Sequence, residues 1–132
     1  MRRIGIGLAA GVAIWVGSAM AAEAQTIQIQ PIGPTAMYTS SSNTTYQAML
    51  TPGLALPIDV QLKVYVNQET TPRYTSNILF LNITGTYGYS KKCSLAGWNL
   101  HSGDVVRFHL ECWWDPTGQM TSNDYSVTVT GS

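Results

Sequence analysis

His101-Ser102-Gly103-Asp104 puts an imidazole, a hydroxyl and a carboxylate within four residues, the side-chain types of a hydrolase triad. Triads are assembled from separate segments, so that base and nucleophile can meet in space. Four consecutive residues predict instead a turn, with Gly103 in an unusual backbone conformation and Asp104 bonding nearby amides. His109 and Glu111 are two apart and so point to one side of a strand, beside Arg107 and Trp113. Such neighbours can pair as ions or offer two ligands to a metal, but a site needs a third ligand, and no residue is marked for that part. A solvated polar strand face is the expectation there. Asp115-Pro116-Thr117-Gly118 with Asn123-Asp124 lacks the dense oxygen spacing of calcium loops and reads as a turn. No paired-carboxylate arrangement, phosphate-binding glycine loop or dinucleotide fingerprint is present. The expectation is therefore no enzyme, no cofactor and no metal.

The chain opens on Arg2-Arg3, continues through an apolar stretch from Ile4 to Val16, and reaches the small-residue sites Ala19-Met20-Ala21 and Ala22-Glu23-Ala24. Basic, apolar, then small is the order of a cleavable export signal, here bacterial in appearance. The apolar part is too short for the ~20 residues that span a bilayer. Cleavage is expected after Ala24, with Ala21 and Ala22 as alternatives, leaving residues 25–132 as a single domain that does not insert in a membrane. That part carries five basic against six acidic residues, which gives no electrostatic footprint for nucleic acid. Export, to the periplasm or beyond the cell, implies an oxidising compartment, and Cys93 and Cys112 are the two cysteines of the chain. A disulfide between them is expected, closing a loop of about twenty residues and stabilising the fold by roughly 3 kcal/mol.

The elements that must position these residues are strands. From Ile58 to Val66, apolar Ile58, Val60, Leu62, Val64 and Val66 alternate with Asp59, Gln61, Lys63 and Tyr65. From Val106 to Trp114, Val106, Phe108, Leu110, Cys112 and Trp114 share one parity, and Arg107, His109, Glu111 and Trp113 the other. Period-two alternation marks a strand with one face buried. Ile27–Gln30 and Tyr125–Thr130 alternate likewise, Tyr46–Leu50 reads as a short strand ended by Pro52-Gly53, and Ile78–Thr84 is apolar on both parities in its first half. Helical periodicity is absent after the signal. Cys93 is expected in a segment between strands, so that its bond would pin the loop Ser94–Gly103, with Trp98 and His101, against the following strand.

Six or seven short strands in a chain of this length predict an all-β fold, a single antiparallel β-sandwich, with a small β-barrel as the alternative. The ending Gly103-Asp104-Val105-Val106-Arg107, Asp115-Pro116-Thr117-Gly118 and Tyr125-Ser126-Val127-Thr128-Val129-Thr130 resembles the last hairpin of bacterial immunoglobulin-like or fibronectin type III-like sandwiches. The resemblance spans Ser102 to Thr130, is a fold-level pattern without a diagnostic motif, and names no family.

Aromatic residues are the remaining signal: Trp98, Trp113 and Trp114 stand with seven tyrosines. Trp114 and Tyr125 are expected in the core, while parity turns Trp113 and Tyr65 outward, where rings can stack on sugars or bury against a protein. The loop carrying Trp98 is expected to cover Trp113; left uncovered, that indole becomes the contact point. The functional expectation is an exported, non-enzymatic module that binds carbohydrate or another envelope or extracellular protein, with Trp98, Trp113, Tyr65, His109 and Glu111 as candidate contact residues. A structural subunit or partner-bound inhibitor that pairs edge strands is the alternative, and a small secreted hydrolase using His101 or His109 the second.

Overall fold

The computed structural model describes residues 27–53, 56–114 and 118–131; the expected export signal lies outside them, as does Asp115. The described residues form nine strands, and no helix among them is long and apolar enough to cross a membrane. In chain order the strands are β1 (Ile27–Gly33), β2 (Met37–Tyr38), β3 (Asn43–Pro52), β4 (Leu56–Val66), β5 (Tyr74–Thr75), β6 (Leu79–Ile83), β7 (Tyr87–Ser94), β8 (Val105–Trp114) and β9 (Met120–Thr130). They make two sheets. One is ordered β1-β3-β7; the other, curled into a half-barrel, is ordered β2-β9-β8-β4-β5, with β6 pairing β4 beyond β5.

The alternation read from the sequence decides which side of each strand is buried. Along β8 exposure alternates without a break, and the core-side residues Val106, Phe108, Leu110, Cys112 and Trp114 are at most 1% exposed. On β4, Ile58, Val60, Leu62 and Val64 are fully buried opposite them. The three-stranded sheet closes the core from the other side: Tyr46 of β3 stacks on Phe108 of β8, with centroids 5.5 Å apart, and meets Tyr89 of β7 edge-on. Burying each such side chain stabilises the fold by ~1.5–3 kcal/mol.

Three expectations need correction. The ladders are not all antiparallel. After the cis peptide Gly33–Pro34 the chain leaves the three-stranded sheet and β2 joins the other one, parallel to β9. The Tyr125 hydroxyl donates to the Pro34 carbonyl at 2.8 Å across this crossing. Second, Cys93 lies on a strand. Tyr87, Tyr89 and Cys93 do alternate inward along β7, but Gly88, Ser90 and the adjacent Lys91-Lys92 hide the pattern in the sequence.

Third, the disulfide is absent: both thiols are buried and free. Cys93 sits opposite Thr44 in one sheet and Cys112 between Val60 and Thr121 in the other. The two cysteines thus lie in different sheets, and the pair is not at disulfide distance. Burial pushes the Cys93 thiol up to about 11 and the Cys112 thiol up to about 12, so neither is poised as a nucleophile.

Candidate functional site

The outward face of the six-stranded sheet gathers four of the five candidate residues. Register alone places them in rows. Tyr65, Arg107 and Ser126 form one row; Lys63, His109 and Asp124 the next; then Gln61, Glu111 and Ser122; and at the end Asp59, Trp113 and Met120, with Phe80 opposite Asp59 on the far side. Directly opposite residues in an antiparallel ladder share a face and come within contact distance, so these rows are real neighbourhoods.

The middle rows form one polar network. The His109 ring nitrogens meet two carboxylates: Nδ1 is 2.6 Å from Asp124 Oδ1, and Nε2 is 3.1 Å from Glu111 Oε2. Lys63 Nζ donates to the same Glu111 oxygen at 3.4 Å. A neutral imidazole can donate to one carboxylate, the imidazolium to both. The Arg107 guanidinium lies 4.3 Å over the Tyr65 ring and donates to the Glu69 carbonyl at 3.4 Å. Every charged group in the network thus has an opposite charge, a ring or a carbonyl beside it. His109 and Glu111 make a polar face, but a paired one in place of the solvated one expected, with side chains only 20% and 16% exposed, and Tyr65 serves as a platform for Arg107. Among the described residues no group of three or more His, Cys, Asp or Glu is arranged to hold a metal ion.

At the end of the face the character changes. Trp113 is half-buried between Asp59 and Met120 in the ladders, and Met120 and Phe80 are 54% and 55% exposed. The loop expected to cover Trp113 is elsewhere. Trp98 lies beside Val66 and Asp104, at the opposite end of β8, where Val66 pairs with Val106. There Arg73 holds it: the guanidinium is 5.8 Å from the Trp98 ring centroid and donates to the Trp98 carbonyl at 2.7 Å. Arg73 is itself fixed by Glu69, whose carboxylate accepts at 2.7–3.2 Å and is held below the usual carboxylate range by that bond. Trp98 therefore lines a shallow cleft with Asn67, Asn99, His101 and Asp104, and does not touch the Trp113 surface.

His101-Ser102-Gly103-Asp104 is a turn, as its sequence predicts. Asp104 Oδ2 accepts from the His101 amide at 2.8 Å, the Asp104 amide donates back to the His101 carbonyl at 3.0 Å, and Gly103 has φ of 95°. Asn67, at φ 55°, clamps the corner through Asp104 Oδ1 and the Val105 amide. Those bonds, the His101 amide first, hold the Asp104 carboxyl below its ordinary range. The carboxylate is used up in shaping the chain. The residues missed in the sequence are Phe80, Met120 and Asp124, whose strand partners only the register reveals.

No family model matches the chain, and no curated protein matches it. Among solved structures it is similar to a FixG-related protein from Vibrio parahaemolyticus, with a TM-score of 0.49 and 7% identity, over 79% of this chain and 94% of that one. It is also similar to AggA, the major subunit of aggregative adherence fimbriae type I from Escherichia coli, with a TM-score of 0.45 and 11% identity, over 81% and 95%. Likeness of that extent carries neither a family nor a function.

Proposed function

We propose that this chain is an exported, non-enzymatic binding module of the periplasm or the cell exterior, built as an immunoglobulin-like sandwich. It meets another envelope or extracellular protein with the Trp113 end of its six-stranded sheet. The observation that carries the reading is the half-buried Trp113, flanked on its own face by the exposed Met120 and, across Asp59, by the exposed Phe80. A large, rigid aromatic between exposed apolar neighbours is the composition of an interface centre, and the charged network one row away supplies a polar rim. The non-enzymatic part rests on how the candidate catalytic groups are occupied: Asp104 in its turn, His109 between two carboxylates, both thiols in the core.

The test is affinity capture from envelope and culture-medium fractions of the source organism, comparing the wild type with Trp113→Ala. A partner retained by the wild type and lost with Trp113→Ala supports the reading; equal capture by both overturns it.

A second reading concerns glycans, and the Trp98 cleft favours it, because an indole there stands among the polar side chains of Asn67, Asn99, His101 and Asp104. Sugar rings stack on an indole while their hydroxyls bond to such neighbours. A glycan array that scores the wild type, and fails to score Trp98→Ala, would select this reading over the first.

A further inference from the structure

The free edges of the two sheets are not protected alike. On β1 the edge holds Pro31 at a shift of register; on β7 it holds Lys91 and Lys92; β2 and β5 are two residues long. Proline, lysine, irregularity and shortness each blunt a strand edge against another chain. β6 has none of them. Its five residues, Leu79-Phe80-Leu81-Asn82-Ile83, contain no charge and no proline, and among the described residues its only ladder is with β4. Apolar exposure concentrates at the same place: Ile78 is 55% exposed, Leu79 39% and Phe80 55%.

An edge of this kind is covered best by another strand, since a strand alone supplies backbone donors and acceptors at the spacing the edge presents. The β6 sequence indicates which one. It is complementary to itself when run antiparallel: centred on Leu81, a second copy sets the partner subunit's Leu81 opposite Leu81, the partner subunit's Ile83 opposite Leu79, and the partner subunit's Asn82 opposite Phe80. Leu79 and Leu81 are opposite buried Val60 and Ile58 of β4, so they and Ile83 are on the core side, where all three remain partly or largely exposed. The second copy would extend that core side with a matching apolar row, and no like charges would meet.

We infer that a second copy of this chain docks on β6 through a two-fold, antiparallel ladder, joining two six-stranded sheets edge to edge. The contact is one short ladder with its flanking side chains, which places it among weak and concentration-dependent associations. It does not rest on the Trp113 reading: Trp113 is two strands away, on β8.

Sedimentation equilibrium on the purified protein, at concentrations up to about 1 mM, reads the association directly. The wild type is expected to show a monomer–dimer equilibrium. Leu79→Lys, at a side chain already exposed, is expected to weaken it by about tenfold or more while leaving the thermal melt in place. Mild oxidation reads the register. Leu81→Cys should cross-link to itself, or Phe80→Cys mixed with Asn82→Cys should cross-link as a pair. Position 81 and the 80/82 pair alternate between the two kinds of antiparallel pair, so the two assays together cover both geometries. Asn82→Cys alone should stay uncross-linked. A strict monomer throughout the concentration range, a dimer untouched by Leu79→Lys, or no cross-link in either assay overturns the inference. Loss of a captured envelope partner with Trp113→Ala leaves it standing.

Discussion

The two sides of β8 are the sharpest contrast in the molecule. One side sends five residues into the core, all paired with β4 and the first four also with β9, under the three-stranded sheet opposite. The other side carries Arg107, His109, Glu111 and Trp113, of which the first three direct their polarity to neighbours in the same sheet or, for Arg107, also to the Glu69 carbonyl after β4. Only Trp113 remains with a surface to offer. On this half-buried strand the outward indole is what is left over after the polar rows have satisfied each other.

The largest effect should come from the core side. Leu110→Ala, at a fully buried position between β4 and β9, is expected to cost about 2–5 kcal/mol in denaturant unfolding. The same truncation at Trp113 should cost clearly less in that assay and act instead on partner capture. If Trp113→Ala proved as destabilising as Leu110→Ala, the division between the two sides would fail.

Alkaline unfolding probes the buried side through Cys112. Its folded value, about 12, lies above the ordinary 9.0, so the neutral thiol favours the folded state. The stability it contributes is complete below pH 9.0 and is lost as pH rises from there toward about 12. Cys112→Ala should flatten that limb of the stability profile, at the cost of a small cavity. Alkylation at neutral pH should leave both thiols unlabelled until denaturant is added. Rapid labelling of the native protein would contradict their burial.

In acid the sign reverses for Asp104. Its folded value is depressed by the His101 amide and by Asn67, so the stabilisation is present above the ordinary carboxylate range and disappears as pH falls through the folded value. Asp104→Asn should therefore flatten the acid limb slightly, as measured by melting temperature against pH.

The smallest effect belongs to Tyr46. Its hydroxyl is buried without a hydrogen-bond partner among the described residues, and burial raises its pKa strongly. Tyr46→Phe keeps the stack on Phe108 and removes the orphaned group, so unfolding free energy should stay within about 1 kcal/mol of the wild type, or rise. A large loss would show that the hydroxyl is used.

Much of the fold is legible in the order of the residues. Alternation in β4 and β8 names the buried residues of each, in β9 it names Val127 and Val129 while Tyr125 is only half-buried against the core, and the adjacent Trp113 and Trp114 separate correctly by parity. The turn at His101–Asp104 follows from its residue types. The strand β7 is not legible, because Lys91 and Lys92 interrupt its apolar rhythm, and the misplacement of Cys93 follows from that, whereas the expected disulfide rested on export and on the presence of two cysteines. Phe80 and Met120 cannot be joined to Trp113 along the chain, since they come from other strands and meet it only through the ladders. Asp124 has the look of a turn residue, although it is the second carboxylate on His109.

Parity is a local property: successive side chains on a strand point to opposite faces whatever the neighbours are, so the residue order alone specifies the all-β class and the inward and outward sets. Pairing is not local. Which strands lie side by side, which sheet holds each cysteine, which end of β8 the Trp98 loop folds onto, and which edge stays open depend on how two sheets close over one core. Those are matters of tertiary structure, because each needs contacts between segments far apart in the chain. That closure leaves Trp113 half-buried at the end of the outward face, and β6 with a single ladder among the described residues.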